Sequence, residues 1–336
     1  MTKGLWFKII TVILSIFLMV VILEIVVRIY DSFSPVQTGD KSMYKYDNTI
    51  GWELEDGVYT QSHQDFIAQY SVVNGTRVTT PSGMDSNTVI NFYGDSFGFG
   101  TGMADEYTIE SFFALLNPDY RVINHSVAGY GPLQYWMKYN ATKSKDLNIF
   151  LIFTGNDYKD IQRSKIEWGP YKPMLIPDAG SYKIEKPKAD FRLILSSSDN
   201  KYFKFKLFNF VKNMLKRIPI IVKIRNEFIS PDKDYVDESL KRFDYLFGDI
   251  DKDSTLFLIL PSISMVSGIS IKDNEGYFRE ILQQYMISNN LDYVDLLSSG
   301  DLNKDDYWKH EGHNNVEGNK KIAKMLDDHL KARAQN

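Results

Sequence analysis

Residues 88–102 read TVINFYGDSFGFGTG, Thr88 to Gly102. The apolar run Thr88–Tyr93 stops at Gly94-Asp95-Ser96, and a loop with Gly98, Gly100 and Gly102 leads into a helical pattern. A brief apolar run bounded by glycines is the pattern of a buried strand. The stretch therefore predicts a strand, a tight turn and a helix. Ser96 falls at the strand's carboxyl end, the edge at which open α/β sheets bind their ligands.

Downstream the alternation repeats. Helical patterns cover Asp105–Leu116, Pro132–Lys143, Asp273–Ile287 and Asn315–Leu330, and strands are expected at Tyr120–Asn124, Asn148–Phe153, Thr255–Leu260 and Tyr293–Leu297. Strands that are apolar on both faces and separated by helices build a mostly parallel central sheet in a three-layer α/β/α sandwich of flavodoxin-like type. An insertion at about 158–254 interrupts the alternation. It has a hairpin signal at Asp178-Ala179-Gly180 and a basic, aromatic-rich stretch, Lys201–Arg225. That stretch reads as a packed helical insert with a solvated basic face; its alternative is a surface resting on anionic lipid or polymer.

Upstream, Ile9–Leu23 is apolar apart from Thr11 and Ser15. Extended by Leu5–Phe7 and Ile25–Val27, it is expected to cross a hydrocarbon core of about 30 Å, with Lys8 and Arg28 at the two interfaces. No small-residue cleavage site follows, which favours an uncleaved anchor over a signal peptide. The expected organisation is a transmembrane anchor over 1–30, a linker and small β preface over 31–86, and the main α/β domain over 87–336. The protein is then single-pass, with its bulk outside the cytoplasm. Asn74-Gly75 marks a tight turn in the preface.

The chain has 336 residues, 43% hydrophobic and 24% charged, an ordinary globular composition. A net charge of −4 argues against a general nucleic-acid binder. The absence of cysteine excludes disulfides, thiolate catalysis and cysteine metal sites.

Three further blocks converge on the same sheet edge. Asn124–Gly131, NHSVAGYG, follows the second strand, and Gly129 has no side chain to keep its N–H from a ligand. Thr154–Asp157, TGND, follows the third strand and offers the Asn156 amide. Glu311-Gly312-His313-Asn314 precedes the last helix, where Asn314 and Glu317 resemble a cap and its partner. These are the parts acyl transfer needs. A serine hydroxyl requires an imidazole to take its proton, and an oxyanion requires donors already in place. Ser96 N–H, Gly129 N–H and Asn156 can supply them, and an acid should orient His313.

In this order the four blocks resemble the SGNH (GDSL-type) hydrolase superfamily, named for these residues. The resemblance runs from Thr88 to the C-terminus, with the insertion poorly matched. It implies Ser96 as nucleophile, Gly129 and Asn156 completing the oxyanion hole, and His313 as base. The N-terminal segment, Gly51-Trp52 and Asn74–Arg77 are similar to bacterial membrane-anchored members, some of which acetylate or deacetylate cell-surface polysaccharides. The implied substrate is an O-acylated carbohydrate. The implied activity is esterase, or O-acetyltransferase with a membrane acyl-donor partner; a catalytically idle glycan-binding module is the reading from another class. One departure stands out: the superfamily commonly has an aspartate three residues before the histidine, where this chain has His310. Glu311 is the candidate acid and Asp306 the alternative.

Other motifs fit less well. Gly94–Gly98 matches the Gly-x-Ser-x-Gly elbow of α/β-hydrolases, but here the serine follows the first strand and no His-Gly-Gly-Gly motif is present. His310–His313 is one residue short of the zincin spacing, Met103 breaks the dinucleotide fingerprint, and no Walker lysine follows. No cofactor or metal is expected. His63, His125 and His329 read as structural or surface residues.

Overall fold

The computed structural model describes residues 3–33, 38–39, 43–81, 83, 86–142, 145–166, 171–188 and 230–335. The chain divides into two compact units: residues 1–36 with 199–228, and residues 37–198 with 229–336. The basic stretch Lys201–Arg225 lies outside the described residues.

In the first unit a helix covers Lys3–Phe33, but the transmembrane expectation is corrected. Among the described residues no helix is long and apolar enough to cross a membrane. The charge-free run Ile9–Leu23 falls short of the roughly 20 apolar residues a bilayer core requires. Past it, Glu24 and Arg28 pair across one helical turn at 2.8 Å. The single-pass, extracytoplasmic placement rested on that span and falls with it.

Among the described residues the second unit holds thirteen strands. These are β1 (Thr38–Gly39), β2 (Tyr44–Asp47), β3 (Gly51–Leu54), β4 (Gly57–Ser62), β5 (Ile67–Val73), β6 (Thr76–Arg77), β7 (Val89–Tyr93), β8 (Arg121–Asn124), β9 (Leu147–Phe153), β10 (Met174–Asp178), β11 (Ser181–Glu185), β12 (Thr255–Leu260) and β13 (Tyr293–Asp295). One nine-stranded sheet runs β1-β4-β5-β6-β8-β7-β9-β12-β13. Its centre, β8-β7-β9-β12-β13, is wholly parallel. The chain reverses direction across the sheet between β7 and β9, the switch point where a crevice opens at the carboxyl ends.

Side chains alternate across this centre as the pleat dictates. Tyr93, Phe150, Ile152, Phe257 and Ile259 face one core, shared with Phe243 and Phe247 of helix Lys233–Phe247 and Phe278 and Leu282 of helix Asn274–Ser288. Ile90, Phe92, Ile149, Leu151, Leu256 and Leu258 face the other, closed by Phe113 of helix Ile109–Leu116 and by Ile322 and Leu326 of helix Val316–Gln335. Both faces of the parallel centre are thus covered by helices.

The strands before residue 87 do more than pack on this domain. β6 pairs antiparallel with β8, and β5, β4 and β1 continue outward as a wing of the same sheet. β5 and β6 are joined at Asn74-Gly75, both with positive φ as a tight hairpin turn requires. The insertion's hairpin also forms, as β10 and β11 around Ala179-Gly180.

Arg77 fastens the wing beside the Ser96 turn. Its fully buried guanidinium donates to Phe99 O at 3.3 Å and Met103 O at 2.8 Å and pairs with Asp105. The Tyr70 ring covers it at 4.7 Å. Arg77→Ala strands these acceptors, and a buried pair broken on one side costs about 3 kcal/mol or more. Urea denaturation should show a loss of that size; an unchanged midpoint contradicts this role.

Candidate active site

Ser96 is the first residue of the short helix Ser96–Phe99 that follows β7. The cap is Asp95, whose Oδ1 accepts the Phe97 N–H at 2.8 Å. The Ser96 hydroxyl is therefore not consumed in capping. It lies 2.6 Å from His313 Nε2.

His313 comes from a closed loop before the last helix. Trp308 N–H donates to His313 O at 2.7 Å, and Gly312 N–H donates back to Trp308 O at 3.0 Å. Gly312 has φ +91, a conformation open to glycine at little cost. The turn it makes brings the Glu311 carboxylate back onto the imidazole two residues later. Glu311 Oε1 and Oε2 lie 2.7 and 2.6 Å from His313 Nδ1, and Oε2 also accepts the His313 N–H at 3.0 Å.

Burial pushes the Glu311 carboxyl up, but the hydrogen bonds and charge of His313 outweigh it and hold the group below its ordinary value. An ionised carboxylate only accepts, so Nδ1 carries the ring proton and Nε2 is left to accept from the Ser96 hydroxyl. The side chains of His313 and Glu311 are only 18% and 11% exposed.

Asp306, the alternative acid, does not join them. Its Oδ2 accepts the Asn303 N–H at 2.8 Å and the Lys321 ammonium at 2.8 Å. The helix cap also falls one residue later than expected. Asn315 Oδ1 accepts the Gly318 N–H at 3.1 Å, while the Asn314 side chain is buried with neither polar atom hydrogen-bonded.

Gly129 and Asn156 follow β8 and β9, the neighbours of β7 on either side. Gly129 has φ +83, which turns the loop after β8. Around it the wing holds that loop: Trp52 Nε1 donates to Ala128 O at 3.3 Å, and Tyr130 Oη donates to Trp52 O at 2.5 Å. Asn156 Nδ2 donates one N–H to Asp95 Oδ2 at 3.2 Å, which fixes the amide and leaves its second N–H for a ligand.

Behind this edge lies a group of buried carboxyls. Asp157 accepts from Tyr135 Oη at 2.8 Å and Phe153 N–H at 2.9 Å. Burial, then the charges of Asp95 and Asp160, push its carboxyl well above the usual range. Lys172, itself buried, lies 3.0 Å from Asp160 as an ion pair.

No protein-family model matches the chain, and no curated protein does. Among solved structures it is similar to a lipase/acylhydrolase from Enterococcus faecalis, at 11% identity and a TM-score of 0.42 over 73% of this chain and 96% of that one. It is also similar to a member of the lipolytic protein G-D-S-L family from Veillonella parvula, at 12% identity and 0.38 over 70% and 94%. A third is a GDSL-like lipase from Bacteroides thetaiotaomicron, at 10% identity and 0.33 over 73% and 89%.

Residues outside the four sequence blocks also build the site. Phe97 stacks on Phe153 with centroids 3.8 Å apart and lies 4.4 Å from the His313 ring, an apolar wall beside the hydroxyl. Asp65, from the wing, accepts the backbone N–H groups of His310 and Glu311 at 2.8 and 3.1 Å. Phe97 and Phe153 flank two of the blocks and were open to sequence reading as neighbours of Ser96 and Asn156. Asp65 carries no local signal.

Burial pushes the Asp95 carboxyl up to about 6, against the Phe97 N–H, the His313 charge and the Asn156 amide. Its folded-state value lies above the ordinary 3.8. The stability this group contributes is therefore complete below about pH 4 and lost as pH rises through about 6. Asp95→Asn removes the titration, so the variant should gain on the wild type by roughly 2–3 kcal/mol between pH 4 and pH 8. Urea unfolding at both pH values measures this, and a pH-independent difference contradicts it.

Proposed function

We propose that the chain is a serine esterase that cleaves small O-acyl esters through an acyl-enzyme on Ser96. The observation that carries this reading is the continuous contact from Glu311 through His313 to the Ser96 hydroxyl, 2.7 and 2.6 Å long.

Ser96 Oγ attacks the ester carbonyl carbon while its proton passes to His313 Nε2. Glu311 holds the ring in the accepting tautomer and stabilises the imidazolium that forms. The carbonyl oxygen becomes an oxyanion, taken up by the N–H groups of Ser96 and Gly129 and the free N–H of Asn156. Collapse of this intermediate expels the alcohol, which leaves with the proton from His313 Nε2. Water then attacks the acyl-enzyme, its proton passing to His313, and the acid departs as Ser96 regains its hydrogen.

The Phe97–Phe153 wall supports an apolar, compact acyl group such as acetyl. An O-acetylated carbohydrate is the substrate class that the sequence resemblance adds. Hydrolysis and transfer share the acyl-enzyme and differ in whether water or a sugar hydroxyl reaches it.

The test is p-nitrophenyl acetate turnover. Removing a nucleophile that acts with its base as a unit should lower kcat for Ser96→Ala by about 10³-fold or more. Removing one oxyanion donor, Asn156→Ala, should cost about 10²-fold in kcat. Equal rates for wild type and Ser96→Ala contradict the proposal and favour an idle binding module. Acetate release from O-acetylated glycans, measured beside it, identifies the carbohydrate.

A further inference from the structure

We propose that Asp65, between β4 and β5, is a positioning residue of this active site, clamping the backbone of Glu311 so that its carboxylate meets His313. The inference rests on the esterase reading above.

Asp65 Oδ2 accepts two consecutive backbone N–H groups, those of His310 and Glu311, and Oδ1 lies 2.6 Å from His310 Nδ1. Its side chain is only 9% exposed. Asp65 is itself placed, since its N–H donates to His63 Nδ1 at 3.3 Å. The His63 ring packs on Phe66, and Phe66 packs on Trp308, at 5.2 and 5.6 Å between centroids. The loop that carries His313 is thus closed on itself through Trp308 and pinned from outside at residues 310 and 311.

The clamp answers a mechanical need. A triad acid two residues from its histidine hangs on the same turn, so an anchor outside that turn is needed to hold the pair against the rest of the site. Two N–H bonds from consecutive residues converge on one buried carboxylate oxygen and fix the peptide that carries Glu311. His310, where the superfamily commonly places an aspartate, adds a third contact to Asp65 instead of a carboxylate to His313. The wing is accordingly part of the active site.

The test is a mutant cycle on the full chain with p-nitrophenyl acetate. Small misplacements of a catalytic group are costly, so Asp65→Ala should lower kcat about ten-fold or more, with KM within about two-fold of wild type. Asp65→Asn keeps an oxygen for the two N–H groups and should recover most of that loss. In a Glu311→Ala background the same Asp65→Ala change should alter kcat by less than about two-fold, because the residue acts through Glu311. Equal fold-losses in both backgrounds, or no loss in either, overturn the proposal. Should Asp65→Ala fail to fold, Asp65→Ser is read in the same two backgrounds. Failure of the esterase reading itself shows separately, as wild-type turnover by Ser96→Ala.

Discussion

A 2.6 Å hydrogen bond between the Ser96 hydroxyl and the His313 imidazole joins residues 217 positions apart, and most of the second unit can be understood as holding its two ends. A contact this short tolerates little error, because displacement by an ångström removes a group from reacting distance. Each end is fixed by its own device. Ser96 sits at the end of a central strand buried on both faces, in a turn capped by Asp95. His313 sits in a loop closed by backbone hydrogen bonds to Trp308 and continued by the Asn315-capped final helix. The parallel centre of the sheet brings the two ends, with the loops after β8 and β9, to one edge.

The carboxyls around this contact are driven in opposite directions. Glu311 is held low because its hydrogen bonds and electrostatic interaction with His313 exceed the cost of burial. Asp95 is pushed up because burial outweighs the Phe97 N–H, the His313 charge and the Asn156 amide. Carboxyl groups close in space but different in environment can serve different ends. One stays charged beside the imidazole; the other anchors the short helix and the Asn156 amide.

Much of this was legible in the sequence because its causes are local. The strands β7, β9 and β12 announce themselves as apolar runs ended by Gly94, Thr154 and Pro261. The Asn74-Gly75 and Ala179-Gly180 turns follow from backbone conformations their residues accept. Glu311 reaches His313 through a glycine turn two residues long. The rest was hidden because its causes are distant. Nothing in β6 says that it will pair with β8, so the preface read as a small β element packed on the main domain and proved to be a wing of the main sheet. Asp65 meets Glu311 across 246 positions, and no spacing rule connects them. The apolar N-terminal run was read by its length with its flanks included, whereas Glu24 and Arg28 end the charge-free part too soon. Asn314 looked like the cap because it precedes the helical pattern, but the hairpin bridge between Tyr307 and Asn314 shifts the helix start and gives that role to Asn315.

We propose Ser96 as a nucleophile made reactive by His313. This proposal is tested most directly by treating the protein with an alkyl fluorophosphonate and locating the adduct by peptide mass spectrometry. One phosphonyl group per chain is expected, carried on Ser96, with no labelling of His313→Ala on the same timescale. An adduct on another residue, or labelling that survives the loss of His313 undiminished, would contradict it.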